Sequence, residues 1–382
     1  MHESEAEDNY ELRASGRPDF EIGDRVFRLA DIFAGCGGLS LGVAQAVNDH
    51  GWATEAALAV DIDPAMTAVY KTNFPKATVQ TLAVEELFDG CLFAELTAAE
   101  SEVLNRIGKI DALVGGPPCQ GHSDLNNHTR RTDPKNLLYL RMARVAEVLQ
   151  PSIILIENVP AVRNDKRQLV HTVRQCLASA GYEVADGVLK LDEIGVPQRR
   201  RRHLLLACRP PWPDPHEVLG SLSRMSCAAH DLRWAIGDLA TLRNSSGLNY
   251  FPRASKANIA RMQWLLQNDE YNLPNSRRPE CHQNEHSYKS MYGRLKWNEP
   301  AQTITSGFSS IGQGRYMHPD QPRALTAHEA ARIQSFPDYF DFSATMRRSD
   351  LATMIGNAVP PLLGRVLFGA LFEQFDFKKT GQ

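Results

Sequence analysis

The chain has 382 residues, 43% of them hydrophobic and 23% charged, with a net charge of −3. This is an ordinary globular composition with material for about two or three domains, and the charge balance gives no global sign of nucleic-acid binding. No apolar run approaches the roughly 20 residues of a membrane span. The acidic start Met1-His2-Glu3-Ser4-Glu5 is no secretory signal, and seven scattered cysteines argue for reduced thiols in a cytoplasmic protein.

Residues 1–24 are polar and acid-rich and read as a mobile leader. From Arg28 short apolar strands alternate with helical stretches. Strands are expected at 29–33, 56–60, 110–114, 153–156, 182–191 and 203–207, and helices at 39–48, 65–72, 136–149 and 166–180. Such alternation means βα units and a mostly parallel sheet in an α/β fold, with ligands at the carboxyl ends of the strands. At Arg209-Pro210-Pro211-Trp212-Pro213 prolines cluster and the periodicity weakens. A smaller, loop-rich domain is therefore expected over 209–322, and a first domain built from 25–208 and 323–382. Helices are expected at 326–335 and, after Pro360-Pro361, at the end of the chain.

Two strand ends carry the chemistry. Asp31-Ile32-Phe33-Ala34-Gly35-Cys36-Gly37-Gly38 is a glycine turn between a strand and a helix, where the backbone can approach a ligand and free N–H groups are available. Ser40 stands where a dinucleotide fingerprint needs its third glycine, so a nucleoside without a pyrophosphate fits better. Asp61, ending the second strand, suits a ribose diol as well as it suits a surface acid or helix cap. After the strand 110–114 comes Gly115-Gly116-Pro117-Pro118-Cys119-Gln120-Gly121. Glycines turn this backbone, prolines stiffen it, and a lone thiol is presented at the tip, as a nucleophile requires.

These residues resemble the cytosine-C5 DNA methyltransferase family of the bacterial modification type. The resemblance rests on the glycine turn, Asp61-Ile62-Asp63, the Gly115–Gly121 block, Glu157-Asn158-Val159, Gln198-Arg199-Arg200-Arg201-Arg202, the stretch Arg323 to Pro337 and Gly356-Asn357-Ala358-Val359-Pro360-Pro361, in the family's order across about 28–372. His122 stands where the family usually has an aromatic or small apolar residue, and 79–82 lacks an acid usually found near the cofactor's adenine. The implied fold is a Rossmann-like, S-adenosylmethionine-dependent methyltransferase sheet with a second, smaller, loop-rich target-recognition domain.

The implied chemistry is covalent. Cytosine C5 is a poor nucleophile, and a thiolate adding to C6 turns the ring into an enamine that can take a methyl group. Cys119 is the expected thiolate, with Gln120 beside it. Glu157 would serve N3 as a hydrogen-bonding or protonated carboxyl. Arg202 would sit at O2 and Glu157, with Arg200 nearby, because alternate residues of an extended segment share a face. Arg199 and Arg201 then belong to a solvated stripe. For the cofactor, S-adenosyl-L-methionine, the resemblance implies Phe33, Ala34, Gly35, Cys36, Gly37, Gly38 and Leu39, with Asp61, Ile62, Pro117, Asn357 and Val359.

C6 is inaccessible in a stacked duplex, so the target must be flipped out. The segment 123–135, with Ser123, Asn126, Arg130 and Arg131, has the character of a closing lid. Sequence readout is expected from 272–294, with Arg277, Arg278, Gln283 and Lys289 as base-edge readers, and Thr303 and Thr305 as phosphate contacts. Cys227 and His230 with Cys281 and His282 are poorly spaced for zinc. The basic pairs, Arg347-Arg348 among them, read singly as solvated patches. Double-stranded DNA is the expected partner of a monomeric enzyme, alongside a cognate restriction endonuclease. Competing readings are a tRNA cytosine methyltransferase, a DNA-binding relative without activity, and a nicotinamide oxidoreductase, which Ser40 disfavours.

Overall fold

The computed structural model describes residues 12–118, 137–225, 229–241, 247–283 and 290–380. The chain forms two compact units, each made of non-contiguous segments. One comprises Pro18–Ile194, Arg201–Cys227 and Val359–Gln382, the other Met1–Arg17, Gly195–Arg200 and Ala228–Ala358.

The first unit is built on a seven-stranded sheet. In chain order it contains β1 (Val26–Ile32), α1 (Gly38–Asp49), β2 (Ala53–Asp61), α2 (Pro64–Asn73), β3 (Val79–Thr81), α3 (Val84–Leu87), α4 (Ala98–Ile107), β4 (Ala112–Gly115), α5 (Leu138–Leu149), β5 (Ile153–Asn158), α6 (Leu169–Ser179) and β6 (Glu183–Lys190). The two-residue β7 (Gln198–Arg199) belongs to the other unit, and the sheet resumes with β8 (Arg201–Cys208) before α7 (Pro215–Arg224). Strand order is β3-β2-β1-β4-β5-β8-β6. Neighbours from β3 to β5 run parallel, while β8 is antiparallel to both β5 and β6. The order reverses between β1 and β4, which opens a crevice at the carboxyl ends of those strands.

The middles of the central strands β4 and β5 are apolar because helices cover both faces of a parallel sheet. Ile153 to Ile156 on β5 and Ala112 to Val114 on β4 are fully buried. The C-terminal helix Pro361–Thr380, numbered α12 below, lies along α1. The crossing is close because both helices present glycine: a Cβ on Gly42 would fall 1.9 Å from the Pro361 carbonyl oxygen, and one on Gly364 2.9 Å from that of Leu39. Phe27 of β1 meets Phe368, Phe372 and Trp212 edge-on at the base of this contact.

The second unit contains α8 (Leu232–Ile236), α9 (Lys256–Gln267), β9 (Ala301–Gln302), α10 (Ala327–Ile333) and α11 (Arg348–Asn357), with β7 and β9 paired in parallel. Its core includes Met262, Leu265, Leu273, Tyr292, Ile311 and Met317. Buried polar groups organise the rest. Gln198 Nε2 donates to Gln334 Oε1 at 2.6 Å and to the Ile333 carbonyl at 3.1 Å, while its Oε1 accepts from the Ile304 N–H. Arg323 and Glu329 form a bidentate pair, and Arg332 bridges Asp338 and Asp238.

Several sequence expectations are corrected. Residues 209–227 group with the sheet and 323–358 with the other unit, because the proline cluster marks a turn in the chain rather than an exchange of partners. Within the expected mobile leader, Leu12 and Phe20 are buried, and the Thr54 N–H donates to the Phe20 carbonyl; residues 1–11 lie outside the described residues. One stretch, Arg348–Asp376, is long and apolar enough to cross a membrane by length and composition. It is interrupted between α11 and α12, and 56% of its apolar window is buried, as in a core helix.

Candidate active site

β1 ends at Ile32, and Phe33 takes a left-handed φ of 61° instead of extending the strand. A bulky residue in that region is strained, and such strain gathers at ligand sites. The turn continues through Gly35 (φ 55°) and Gly37 (φ 94°). A Cβ on Gly37 would also sit 2.9 Å from Tyr70 Cδ2, so both conformation and space require glycine there. Leu39 and Cys36 are buried, and burial pushes the Cys36 thiol up to about 12, which makes it inert as a nucleophile.

Asp61 closes β2 beside this turn. Its carboxylate accepts the Gly35 N–H at 2.8 Å and the Asp63 N–H at 2.9 Å, and burial raises its pKa. Ile62, next in sequence, is 70% exposed. An apolar side chain standing in solvent beside a carboxylate fits a nucleoside, with base over one and ribose diol on the other. Beneath the turn lies a group that received no role from the sequence. Asp31 is 1% exposed, accepts the Ser40 hydroxyl at 2.6 Å, and Ser40 in turn meets the Tyr70 hydroxyl at 2.8 Å. Asp31 Oδ1 has no hydrogen-bond partner among the described residues. Burial pushes this carboxyl up to about 7. An acid between the apolar residues Leu29-Ala30 and Ile32 of β1 was the available signal.

β4 leads into the cysteine loop, which is described as far as Pro118. Cys119, Gln120, Ser123, Asn126, Arg130, Arg131 and Lys289 lie outside the described residues, as does Cys227. What is described holds the loop's root. Asn158 Nδ2 donates to the Pro117 carbonyl at 3.1 Å, and Asn158 Oδ1 accepts the Val159 N–H. Glu157 belongs to β5 itself, whose strand runs two residues beyond the expected end. A Cβ on Gly116 would lie 3.3 Å from Glu157 Oε2 and 3.6 Å from Val359 Cγ2, so the cysteine loop, Glu157 and Val359 converge.

Arg202 Nε lies 2.5 Å from Glu157 Oε1, with both side chains largely buried. The two form a close ion pair. Pairing explains the meeting: Glu157 stands opposite Leu204 on antiparallel β8, and Arg202 is two residues along on the same face. Arg199 and Arg201 are exposed, whereas Gln198 and Arg200 are buried, so the expected alternation is present.

The second unit holds the remaining candidates. Arg200 spends two donors on the carbonyls of Ile304 (2.9 Å) and Ala358 (3.2 Å), which makes it a clamp on backbone rather than a group at the base. Asn357 is exposed at the end of α11. Arg278, expected to read bases, is buried, donating from Nε to the Leu273 carbonyl while its own carbonyl accepts from Gln283 Nε2; it holds its loop together. Arg277 lies over the Trp264 ring at 4.6 Å. Thr303 donates to the Arg199 carbonyl, and Thr305 is bonded to the Tyr316 hydroxyl, so both hydroxyls have internal partners. Cys281 is exposed, and His282 Nδ1 meets the Tyr292 hydroxyl at 3.0 Å.

Comparison with known proteins bears on the whole chain. Residues 27–373 match the family model described as C-5 cytosine-specific DNA methylase. The type II methyltransferase M1.BsuMI of Bacillus subtilis is 42% identical over 93% of this chain and 83% of its own. The type II methylase M.HgiDII of Herpetosiphon aurantiacus is 31% identical over 88% and 92%. Among solved structures, a DNA modification methyltransferase from an E. coli prophage superposes with a TM-score of 0.64 at 23% identity, covering 92% of this chain and 99% of that one. The Dnmt2 methyltransferase of S. pombe gives 0.62 at 18% identity, covering 92% and 100%. These two likenesses concern the fold.

Proposed function

The chain belongs to the C-5 cytosine-specific DNA methylase family and is a DNA (cytosine-5-)-methyltransferase; from that premise we propose how its own residues carry the reaction. Cys119 is the nucleophile that bonds C6 of a cytosine flipped out of the duplex. Glu157 serves N3 as charge builds on the ring, a contribution of roughly 10²–10⁴-fold for a positioned acid. Arg202 holds Glu157 through Oε1 and offers its remaining donors to O2. That leaves Oε2 for the base, on the side where Gly116 has no side chain. The Glu157–Arg202 pair, set at the strand end beside Gly116, is the observation that carries this assignment.

S-adenosyl-L-methionine fits the crevice at the β1–β4 reversal. Phe33 and Ile62 would take its adenine, Asp61 its ribose hydroxyls, and the turn from Ala34 to Leu39 its amino-acid end, with Pro117 and Val359 completing the pocket. Bound there, it supplies an electrophilic methyl group. Loss of the C5 proton and expulsion of the Cys119 thiolate then restore the ring. Residues 272–294 suit base readout through Arg277 and Gln283, with Lys289 from the same stretch. Ser123, Asn126, Arg130 and Arg131 suit a closing lid. The unpaired cysteines and the substrate suit a cytoplasmic enzyme, acting as a monomer beside a cognate endonuclease.

Cys119→Ala tests the mechanism. Methyl transfer should vanish while duplex binding, read by fluorescence anisotropy, survives. Turnover in that variant would sink the covalent route.

A further inference from the structure

Arg253 and Arg348 are both exposed, and both guanidinium groups act on the phenol of Tyr250. Arg348 also lies over the Tyr250 ring at 3.6 Å. Neither guanidinium is ion-paired with a carboxylate among the described residues. Arg347 alongside is 78% exposed and only loosely placed against Asp350, 3.9 Å away. Two cations beside one uncharged oxygen repel each other, and an anion shared between them would relieve that repulsion. Arg348 and then Arg253 lower the pKa of Tyr250, the direction expected where negative charge is favoured. At its foot is a cavity of about 320 Å³ walled by Leu248, Pro252, Phe308, Met346 and Leu351.

We propose that Arg253, Tyr250 and Arg348 form a clamp for a backbone phosphate of duplex DNA, with the adjoining cavity seating the apolar face of a deoxyribose. The proposal rests on duplex DNA being the substrate. Guanidinium forks match phosphate oxygens bidentately, and aromatic side chains beside them add a hydroxyl donor and a flat wall. Such contacts position a protein on the duplex without reading its sequence. Their role therefore differs from that of Arg277 and Gln283.

The test is binding of a labelled random-sequence duplex to the full-length protein over a salt series. Removing one phosphate contact lowers the slope of log K against log salt by about 0.9. Arg253→Gln/Arg348→Gln, which empties the clamp on that one phosphate, should lower it by about 0.9 and weaken all duplexes alike, leaving the set of methylated sites on genomic DNA unchanged. Arg253→Lys/Arg348→Lys should restore most of the slope. Cofactor binding by calorimetry and the thermal midpoint check that the double variant is folded. An unchanged slope in a folded variant would overturn the clamp, as would a changed set of methylated sites. A wild-type protein that binds no duplex would overturn the DNA reading itself, and the clamp with it.

Discussion

Glu157 and Arg202 are 45 positions apart in the chain and meet only through strand pairing, yet both are legible in the sequence, because the chemistry admits few residue types at the two places. Glu157→Gln should lower the turnover number by roughly 10²–10⁴-fold, the range of a positioned general acid, and leave cofactor affinity nearly intact; steady-state kinetics with calorimetry would show both. The roles of Arg200 and Arg278 were not legible. Whether an arginine reaches solvent depends on which carbonyls the fold brings to it, and Ile304, Ala358 and Leu273 are such partners. Asp31 was hidden for a related reason: its burial follows from β1 lying in the middle of the sheet. Burial holds this carboxyl at about 7 against an ordinary 3.8, with the Ser40 hydroxyl pulling the other way. A carboxyl raised on folding contributes its stability in full below its unfolded value and loses it as pH rises through about 7. The thermal midpoint of the wild type should therefore fall more between pH 5 and 8 than that of Asp31→Asn. Parallel curves would contradict this.

At the scale of elements, the periodicity located the strands and helices that carry the site, but it did not carry strand direction. β8 reads like its neighbours and runs against them, since an apolar strand has the same pattern in either sense. Helices α4, α7 and α9 escaped because their buried faces are narrow: α9 buries only Met262 and Leu265. The α1–α12 contact was invisible because its determinants, Gly42 and Gly364, sit far apart in the chain. Gly42→Ala pushes a methyl group into the Pro361 carbonyl, and overpacking of this kind costs about 1–3 kcal/mol. Chemical denaturation should read that loss, and Gly369→Ala, with nothing within 4 Å of its added Cβ, should cost far less.

For the molecule as a whole, length and composition allowed about two or three domains; the chain forms two compact units, whose borders follow contacts rather than the proline cluster. The second unit depends on buried charge pairs as well as on its apolar core. Arg332→Ala takes the buried arginine from Asp338 and Asp238 and leaves them only His328 and Arg13, so it should lower the thermal midpoint. The net charge of −3 gave no sign of the substrate, because 42 basic residues are offset by 45 acidic ones over the chain as a whole. The measurement that tests the central claim most directly is transfer of label from S-adenosylmethionine to methylation-free genomic DNA, with total tRNA in parallel and Cys119→Ala as control, followed by bisulfite sequencing. Label should appear on DNA as 5-methylcytosine at one short motif and vanish in the variant. Label on tRNA alone, or on neither nucleic acid with the protein folded, would contradict it.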